Sequence, residues 1–280
     1  MRYPYDIAQH GDRPTAGSDQ PVRRISVGSA AFVSDIHANT YAFEAVLAEL
    51  ASEPVDALIL NGDITWGSFP AQTVDLIRAA QDRFEHTVLI RGNGDRALLE
   101  LADGAREPRR PREVWMLAAH RRSDVELLHT VMFQVEVEIA GLGVIRACHG
   151  SPRADIETIT QRTAIERLAE ATAGVDADVL LTGHTHLQFD RPVTELPRIW
   201  RSVNPGSAGI PYGGAVPGAY WLRVDGNRFE FRVTGYDLDT YIESMLSTDD
   251  PVAEAIAEVL RRPPTADEII EDSEQRIFAD

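Results

Sequence analysis

This chain of 280 residues has very little cysteine, no long apolar run and no excess of positive charge. Cys148 is the single cysteine, so no internal disulfide can form and nothing points to an oxidising compartment. No apolar run approaches the ~18 residues that a membrane-spanning helix needs. The segment from Met1 to Val22 also lacks the apolar core of a secretory signal. Together these absences predict a cytoplasmic protein without membrane contact.

Basic residues are outnumbered by acidic ones, 27 to 44, which gives a formal net charge of −17 and a pI near 4.8. A protein that binds nucleic acid non-specifically needs a basic surface, so this class is excluded. An acidic protein repels anionic substrates unless something local offsets the charge. A bound cation would provide that offset.

Composition and element pattern predict one main domain with appendages. Hydrophobic residues make up 44% of the chain, enough for one sizeable core. We predict a disordered N-terminal extension over residues 1–23, a domain over residues 24–236 with a helical insert at 104–130, and C-terminal helices over residues 237–280. The sequence leaves open whether those helices cover a sheet edge or form a contact in a homo-oligomer.

Strand and helix patterns alternate in the first half of the domain, which predicts a parallel α/β sheet. In the second half, three segments form what looks like an antiparallel set: 199–203, 219–224 and 229–233. With several strands in each half, we expect an α/β fold of two sheets packed face to face and flanked by helices. Two helices are expected to close the chain.

Polar side chains follow five of the apolar strands at the point where each strand ends. The set comprises Asp35, His37, Asp63, Asn93, His149, His184 and His186. Ligands bind outside the carboxyl ends of strands in open α/β sheets, so we expect these side chains to converge. Glycines beside most of them let the backbone turn sharply and approach a ligand closely.

Taken singly, the motifs are weak, because D-x-H is usually a loop, N-G-D a turn and a lone histidine part of the core. Together, imidazoles and carboxylates suit Mn, Fe, Zn, Co or Ni. Seven groups are too many for one tetrahedral ion but suit two ions ~3.5–4 Å apart that share one carboxylate. A zinc hydrolase of the lactamase type is excluded by spacing, because Gln188 and Phe189 stand where its pattern needs Asp and His.

These blocks resemble the calcineurin-like metallophosphoesterase superfamily. The matching residues, in order, are Asp35-Ile36-His37, Gly62-Asp63, Gly92-Asn93-Gly94-Asp95, His149-Gly150 and Gly183-His184-Thr185-His186. The run Asn204-Pro205-Gly206-Ser207 resembles the compact bacterial and archaeal phosphodiesterase branch, often called YfcE-like.

The resemblance implies a four-layer α-β-β-α sandwich and a hydrolase that uses two divalent ions, with Mn expected first and Fe, Zn, Ni or Co as alternatives. It implies that Asp63 bridges the ions, that Asp35, His37 and His186 complete the first site, and that Asn93, His149 and His184 complete the second. Asp63 and Asn93 are the predicted catalytic residues. The implied reaction is attack of a metal-held hydroxide on a small phosphodiester or nucleotide-type substrate.

Gly94 departs from the family pattern, which has a histidine at that position. In the wider family this histidine is interpreted as protonating the leaving group or steadying the transition state. Members of the compact branch also lack it. Three interpretations stay open: another group or solvent supplies the proton, the substrate has a leaving group of low pKa, or catalysis is weak.

Among the remaining residues, Arg153 is the best candidate for a substrate contact, because arginine binds phosphate in a bidentate manner. Cys148 is expected to be inert core rather than a nucleophile. The alternative function is a binding scaffold that uses the same fold with an inactive site. Such a scaffold should have lost several ligands, whereas all seven positions are filled here.

Overall fold

The computed structural model describes residues 22–214 and 216–279. The predicted N-terminal extension therefore lies outside the described residues, except for Val22 and Arg23. Within the described ranges the strands are β1 (Arg23–Val27), β2 (Ser29–Val33), β3 (Ala57–Asn61), β4 (His86–Ile90), β5 (Gln134–Ile139), β6 (Gly143–Cys148), β7 (Val179–Leu181), β8 (Gln188–Pro192), β9 (Arg201–Pro205), β10 (Ala219–Asp225) and β11 (Arg228–Thr234).

The helices of the same ranges are α1 (Thr40–Ser52), α2 (Pro70–Gln81), α3 (Asn93–Ala102), α4 (Pro111–Ala119), α5 (Arg122–Leu128), α6 (Ile165–Ala171), α7 (Leu238–Leu246), α8 (Ala253–Arg261) and α9 (Ala266–Arg276). Asn39 caps α1 by accepting a hydrogen bond from the Ala42 N–H, and Pro70 is the first residue of α2. Both helix starts agree with the sequence patterns. Among the described residues, no helix combines the length and apolarity needed to cross a membrane.

One sheet has five strands in the order β11-β10-β2-β3-β4. β2, β3 and β4 are parallel, whereas β10 runs antiparallel to β2 and forms a hairpin with β11. Successive side chains of β2 point to opposite faces, so Ala30 and Phe32 lie in one core cluster while Ala31 and Val33 lie in another. Because both faces are covered, the strand is apolar throughout, as the sequence pattern predicted.

The other sheet has six strands in the order β1-β5-β6-β7-β9-β8. The expected antiparallel set of segments 199–203, 219–224 and 229–233 is wrong in one respect, because β9 belongs to this sheet and runs parallel to β7. The edge strand β8 was not predicted. It pairs antiparallel with β9, so the antiparallel neighbour of β9 lies in this sheet and not in the five-stranded one. The β8 residues QFDRP show no apolar alternation, since only Phe189 is buried.

The two sheets pack face to face, and residues from both fill the space between them, including Phe32, Ile59, Val137, Ile145 and Leu222. α1 and α2 cover the outer face of the five-stranded sheet. α6 and α9 cover the outer face of the six-stranded sheet. The fold is the predicted α/β sandwich of two sheets between helices.

The helical insert and the first two C-terminal helices, α7 and α8, pack outside this sandwich. α4 and α5 fall within residues 104–130 and pack with α3 around Met116, Leu128 and Trp66. Three helices, not the expected two, close the described chain: α7 and α8 form their own cluster, and α9 returns to the six-stranded sheet. α9 was not predicted because only Ile269 and Ile270 interrupt its polar sequence ADEIIEDSEQR.

Candidate metal centre

The seven predicted ligands follow strands β2, β3, β4, β6 and β7, and the loops that carry them are joined by backbone hydrogen bonds. The Asp35 N–H donates to the Gly62 carbonyl at 3.0 Å, and the His37 N–H donates to the Asp63 carbonyl at 2.9 Å. The Gly183 N–H donates to the His149 carbonyl at 2.7 Å. Asn61 Nδ2, at the end of β3, also donates to the Cys148 carbonyl at the end of β6, at 3.0 Å, so the carboxyl ends of the parallel strands in the two sheets meet at one site.

Asp35, His37 and His186 form a buried triad whose ligand atoms all lie within 4.8 Å of one another. His186 Nε2 is 3.3 Å from Asp35 Oδ1 and 3.0 Å from His37 Nε2. These three residues are the ones that the family resemblance assigns to the first metal site.

A second triad consists of Asp35, Asp63 and His149, again with ligand atoms within 4.8 Å. His149 Nε2 lies 3.6 Å from Asp63 Oδ1 and 3.2 Å from Asn93 Oδ1. Asp63 also approaches the first triad, since its Oδ2 is 3.7 Å from His37 Nε2. The two triads share Asp35, and Asp63 lies near both, so the arrangement can accommodate a shared carboxylate.

His184 belongs to neither triad, although its ring lies beside that of His149 with a centroid separation of 5.1 Å. Its backbone N–H donates to the Asp35 carboxylate at 3.1 Å. All seven predicted ligands are therefore at or beside one site, and their roles as ligands stay predictions.

Each of the four histidines has one ring nitrogen bonded to a backbone carbonyl. The pairs are His37 Nδ1 with Trp66 O at 3.1 Å, His149 Nδ1 with Asn61 O at 2.9 Å, His186 Nδ1 with Ile210 O at 2.7 Å and His184 Nε2 with Ala279 O at 2.8 Å. A carbonyl oxygen only accepts, so that ring nitrogen carries a proton, and in a neutral imidazole the other nitrogen then has a lone pair. Histidine ligands of metals characteristically have this arrangement.

The lone-pair nitrogens are set close together, which tests whether the site fits a metal. His37 Nε2 and His186 Nε2 are only 3.0 Å apart, and neither carries the ring proton when Nδ1 is the donor. Two facing lone pairs repel each other, whereas a cation bound to both attracts them. The donor set of neutral imidazoles, carboxylates and an amide oxygen thus fits divalent transition metals.

Electrostatics keep two of the four imidazoles, His37 and His184, in ligand form. Burial lowers the pKa of His37 to about 3, and the neighbouring His186 acts in the same direction. Burial likewise lowers the pKa of His184 to about 3, with a further contribution from His149. Both imidazoles are therefore neutral at ordinary pH and keep a lone pair for a metal.

The pKa values of the two carboxyl groups, Asp63 and Asp35, are shifted in opposite directions. Burial raises the pKa of Asp63 to about 7, and the negative charges of Asp95 and Asp35 add to the effect. Burial also acts to raise the pKa of Asp35, but the imidazoles of His186 and His149 outweigh it and hold that pKa well below its usual range. A buried carboxylate with a raised pKa is a group that an adjacent cation stabilises.

The backbone is strained at the same positions. Seven non-glycine residues of the described chain have positive φ, and five of them are predicted ligands: Asp35, His37, Asp63, His184 and His186. The other two are Ala38 and Ile277. Such conformations are unfavourable by about 1–3 kcal/mol each and persist where the surrounding structure enforces them, commonly at functional sites.

Two residues that support the site were not singled out as functional from the sequence. Asn204 Nδ2 donates to the Gly183 carbonyl at 2.7 Å, which anchors the loop carrying His184 and His186. The Ser207 hydroxyl donates to the Asp35 carbonyl at 2.7 Å. Both lie in the run that suggested the YfcE-like branch, so the motif itself was the available signal.

Gly94 is explained by its neighbours. Its N–H donates to Asp63 Oδ1 at 2.8 Å. A Cβ at this position would lie 2.9 Å from Trp66 Cβ and 3.2 Å from Asp63 Oδ1. Trp66 is only 6% exposed. The indole therefore occupies the space into which a side chain at position 94 would extend.

The arginines near the ligand blocks are bonded to the protein itself. Arg91 and Arg96 both contact Asp155, at 3.2 and 2.9 Å. Arg153, the predicted substrate contact, forms a bidentate pair with the buried Glu157 at 2.8 and 2.7 Å. A substrate phosphate would compete with Glu157, so the substrate role of Arg153 stays a prediction.

Cys148 is fully buried in the cluster between the six-stranded sheet and its helices, and burial raises the pKa of its thiol. Thiolate is the reactive form, so the thiol should be inert. We expect a thiol reagent such as dithionitrobenzoate to label the native protein far more slowly than the protein in denaturant. We also expect Cys148→Ala to retain activity. Rapid labelling of the native protein would contradict this description of the core.

Comparison with known proteins gives one family match. The calcineurin-like phosphoesterase superfamily domain matches residues 29–227, which span β2 to β10. Among curated proteins, no sequence matches this chain significantly.

Several solved structures are similar in fold. A metallophosphoesterase from Sphaerobacter thermophilus is 22% identical, with a TM-score of 0.61 over 82% of this chain and 98% of its own. YfcE, a phosphoesterase from E. coli, is 22% identical, with a TM-score of 0.44 over 73% of this chain and 92% of its own. Vps29 from Entamoeba histolytica, solved with Zn, is 16% identical, with a TM-score of 0.42 over 72% and 88%. The first of these likenesses supports the two-sheet sandwich.

Proposed function

Because the chain belongs to the calcineurin-like phosphoesterase superfamily, we propose that it is a hydrolase that uses two divalent metal ions to cleave a small phosphodiester or nucleotide-type substrate. We further propose manganese as the working metal and the cytoplasm as the location. A soluble small molecule is the proposed substrate, and the acidic net charge of −17 argues against a nucleic-acid polymer.

The observation that carries this proposal is the convergence of seven potential ligands, in which each of the four histidines has one ring nitrogen bonded to a backbone carbonyl. His37 and His186 present their Nε2 atoms 3.0 Å apart beside Asp35. His149 presents its Nε2 atom to Asn93 and Asp63. A scaffold without catalytic function does not need a buried, repulsive cluster of this kind, so we favour the enzyme over the scaffold.

Bound at this site, two ions would supply positive charge for the phosphoryl oxygens and lower the pKa of water. Residues of the chain would position the ions and exclude water. Asp63 is 5% exposed, belongs to the second triad and lies 3.7 Å from His37 of the first, so it would be placed to hold both ions. Asn93, 4% exposed, offers an amide oxygen from the first turn of α3. Burial of these groups excludes bulk water and strengthens every electrostatic interaction with the substrate.

Gly94 and Trp66 bear on the choice of substrate. Gly94 has no side chain, so this position offers no imidazole to protonate a leaving group. Trp66 occupies the space beside it. General acid catalysis typically contributes ~10²–10⁴-fold, and an ester whose leaving group has a low pKa depends on it least. We therefore propose that activated esters and phosphoanhydrides are hydrolysed better than unactivated alkyl esters.

A hydrolysis panel tests the function. The panel contains an aryl phosphodiester, an aryl phosphomonoester, cyclic nucleotides and dinucleoside polyphosphates, each assayed with Mn and after treatment with a chelator. We expect Mn-dependent hydrolysis of the aryl diester or a dinucleoside polyphosphate, and no turnover after chelation. Absence of turnover with Mn, Fe, Zn, Co and Ni would instead support the scaffold.

Restoring the family histidine gives a further prediction. Gly94→His should lower stability by about 1–3 kcal/mol because the new Cβ meets Trp66. The substitution should not raise the hydrolysis rate, because Trp66 leaves no space for the imidazole. Adding Trp66→Ala should not restore the lost stability, because alanine keeps the Cβ that the new side chain meets at 2.9 Å and the buried indole is lost. Denaturant unfolding and the aryl diester assay measure both effects, and a faster, fully stable Gly94→His protein would contradict the role given to Trp66.

A further inference from the structure

The end of the described chain returns to the metal centre. After α9, residues Ile277–Ala279, here called the C-terminal strap, pair with the loop that follows His149. The Thr158 N–H donates to the Ile277 carbonyl at 2.8 Å, and the Ala279 N–H donates to the Ile156 carbonyl at 2.8 Å. An antiparallel bridge joins Glu157 and Phe278. The strap is thus hydrogen-bonded to the residues on both sides of Glu157.

The strap begins with a strained turn. Ile277 has φ 64° and ψ −50°, and the Phe278 N–H donates to the Arg276 carbonyl at 2.7 Å. This three-residue γ-turn with positive φ is rare and unfavourable, particularly for a β-branched residue. Apart from Ala38, next to His37, every other non-glycine residue of the described chain with positive φ is a predicted ligand. Unfavourable positive φ therefore occurs in the strap, at Ile277, as well as at the predicted ligands of the site.

The turn directs the Ala279 carbonyl to His184. Nε2 of that ring is 2.8 Å from the carbonyl oxygen, and the oxygen can only accept, so Nε2 carries the proton. Nδ1 is then the one nitrogen of His184 with a lone pair. The other three histidines have the opposite tautomer, with Nδ1 bonded to a carbonyl of the main domain.

We propose that the C-terminal strap is a positioning element of the second metal site, where the Ala279 carbonyl holds His184 in the tautomer that binds the metal through Nδ1. This inference rests on the proposed function. α9 and the strap lie outside residues 29–227, which match the family domain. The strap thus lies outside the matched domain, whereas all seven predicted ligands lie within it.

A matched pair of substitutions separates this role from general stabilisation. Phe278→Pro removes the N–H that closes the γ-turn and forces Ile277 toward negative φ, because a residue before proline favours extended backbone. Phe278→Ala keeps the backbone bonds and removes only the aromatic ring near Arg153. Partial exposure of Phe278 favours folding of both variants.

Titration calorimetry with Mn²⁺ is the test. We expect the full chain to bind two ions, and we expect Phe278→Pro to weaken the second by about 10–100-fold, the usual effect of losing a hydrogen-bond partner of a ligand. The first ion, held by Asp35, His37 and His186, should bind as before. Phe278→Ala should leave both affinities within about 2-fold. In a His184→Ala background, Phe278→Pro should have no further effect, because its action passes through that ring.

Hydrogen exchange of the unmodified chain provides a second measurement that needs no variant. Coupling between sites is reciprocal, so binding of the second ion should slow exchange of the Ala279 amide. A second-site affinity unchanged in Phe278→Pro, or exchange at Ala279 unaffected by Mn²⁺, would overturn the positioning role while leaving the proposed function intact. A full chain that binds fewer than two ions would overturn both.

Discussion

Asp63→Asn is expected to abolish Mn-dependent hydrolysis, with kcat/KM falling by about 10³-fold or more. Asp63 belongs to the second triad and approaches the first, with Oδ1 3.6 Å from His149 Nε2 and Oδ2 3.7 Å from His37 Nε2. An amide has the same shape but no charge, and only one oxygen can bind a metal. The substitution therefore removes the shared anionic ligand without removing volume.

The fold should survive this change. The asparagine side chain still offers an oxygen to the Gly94 N–H, which Asp63 Oδ1 accepts at 2.8 Å, so the melting temperature in chelator should not fall. Asp225→Asn is a matched control, because Asp225 pairs with Ser29 at the opposite end of β2 from the site and should show full activity. An active Asp63→Asn protein would contradict the bridging role of this carboxylate.

Gly62→Ala is expected to have the largest effect on stability. Gly62 has φ +88°, and a Cβ there would lie 2.3 Å from His149 Nδ1, the nitrogen that donates to the Asn61 carbonyl. Positive φ is unfavourable for alanine by about 1–2 kcal/mol, and forcing an atom into a packed core adds about 1–3 kcal/mol. The displaced His149 should also weaken Mn binding.

Gly141→Ala separates the two contributions. Gly141 has a similar φ of +84°, but nothing lies within 4 Å of a Cβ placed there. It should therefore show only the backbone effect, about 1–2 kcal/mol, with unchanged metal affinity. Denaturant unfolding in chelator measures both variants. If Gly62→Ala is no less stable than Gly141→Ala, then the close contact with His149 is not as described.

The two-sheet sandwich and the convergence of the ligands followed from the sequence because both depend on local patterns. Apolar strands such as β2 and β3 are short, uninterrupted and followed at once by polar residues and glycine. Parallel strands of one sheet end at the same edge, so residues as distant as Asp35 and Asn93, which follow β2 and β4, could be expected to meet.

Features without a local pattern were missed. β8 and α9 are held by a few apolar residues, Phe189 in one and Ile269 and Ile270 in the other, and their packing partners are distant in sequence. The carbonyls that orient the histidines carry no sequence signal, because every residue has one. The space filled by Trp66 beside Gly94 also depends on how the loop after β3 meets the start of α3, which composition and periodicity do not reveal.

Anomalous diffraction from crystals grown with Mn²⁺ would locate the two divalent ions that these seven side chains are proposed to surround. We expect two peaks at ~2.0–2.3 Å from their ligands, the first among Asp35, His37 and His186, the second among Asn93, His149 and His184, with Asp63 bound to both. A single peak, or peaks away from these residues, would contradict the proposed dinuclear centre.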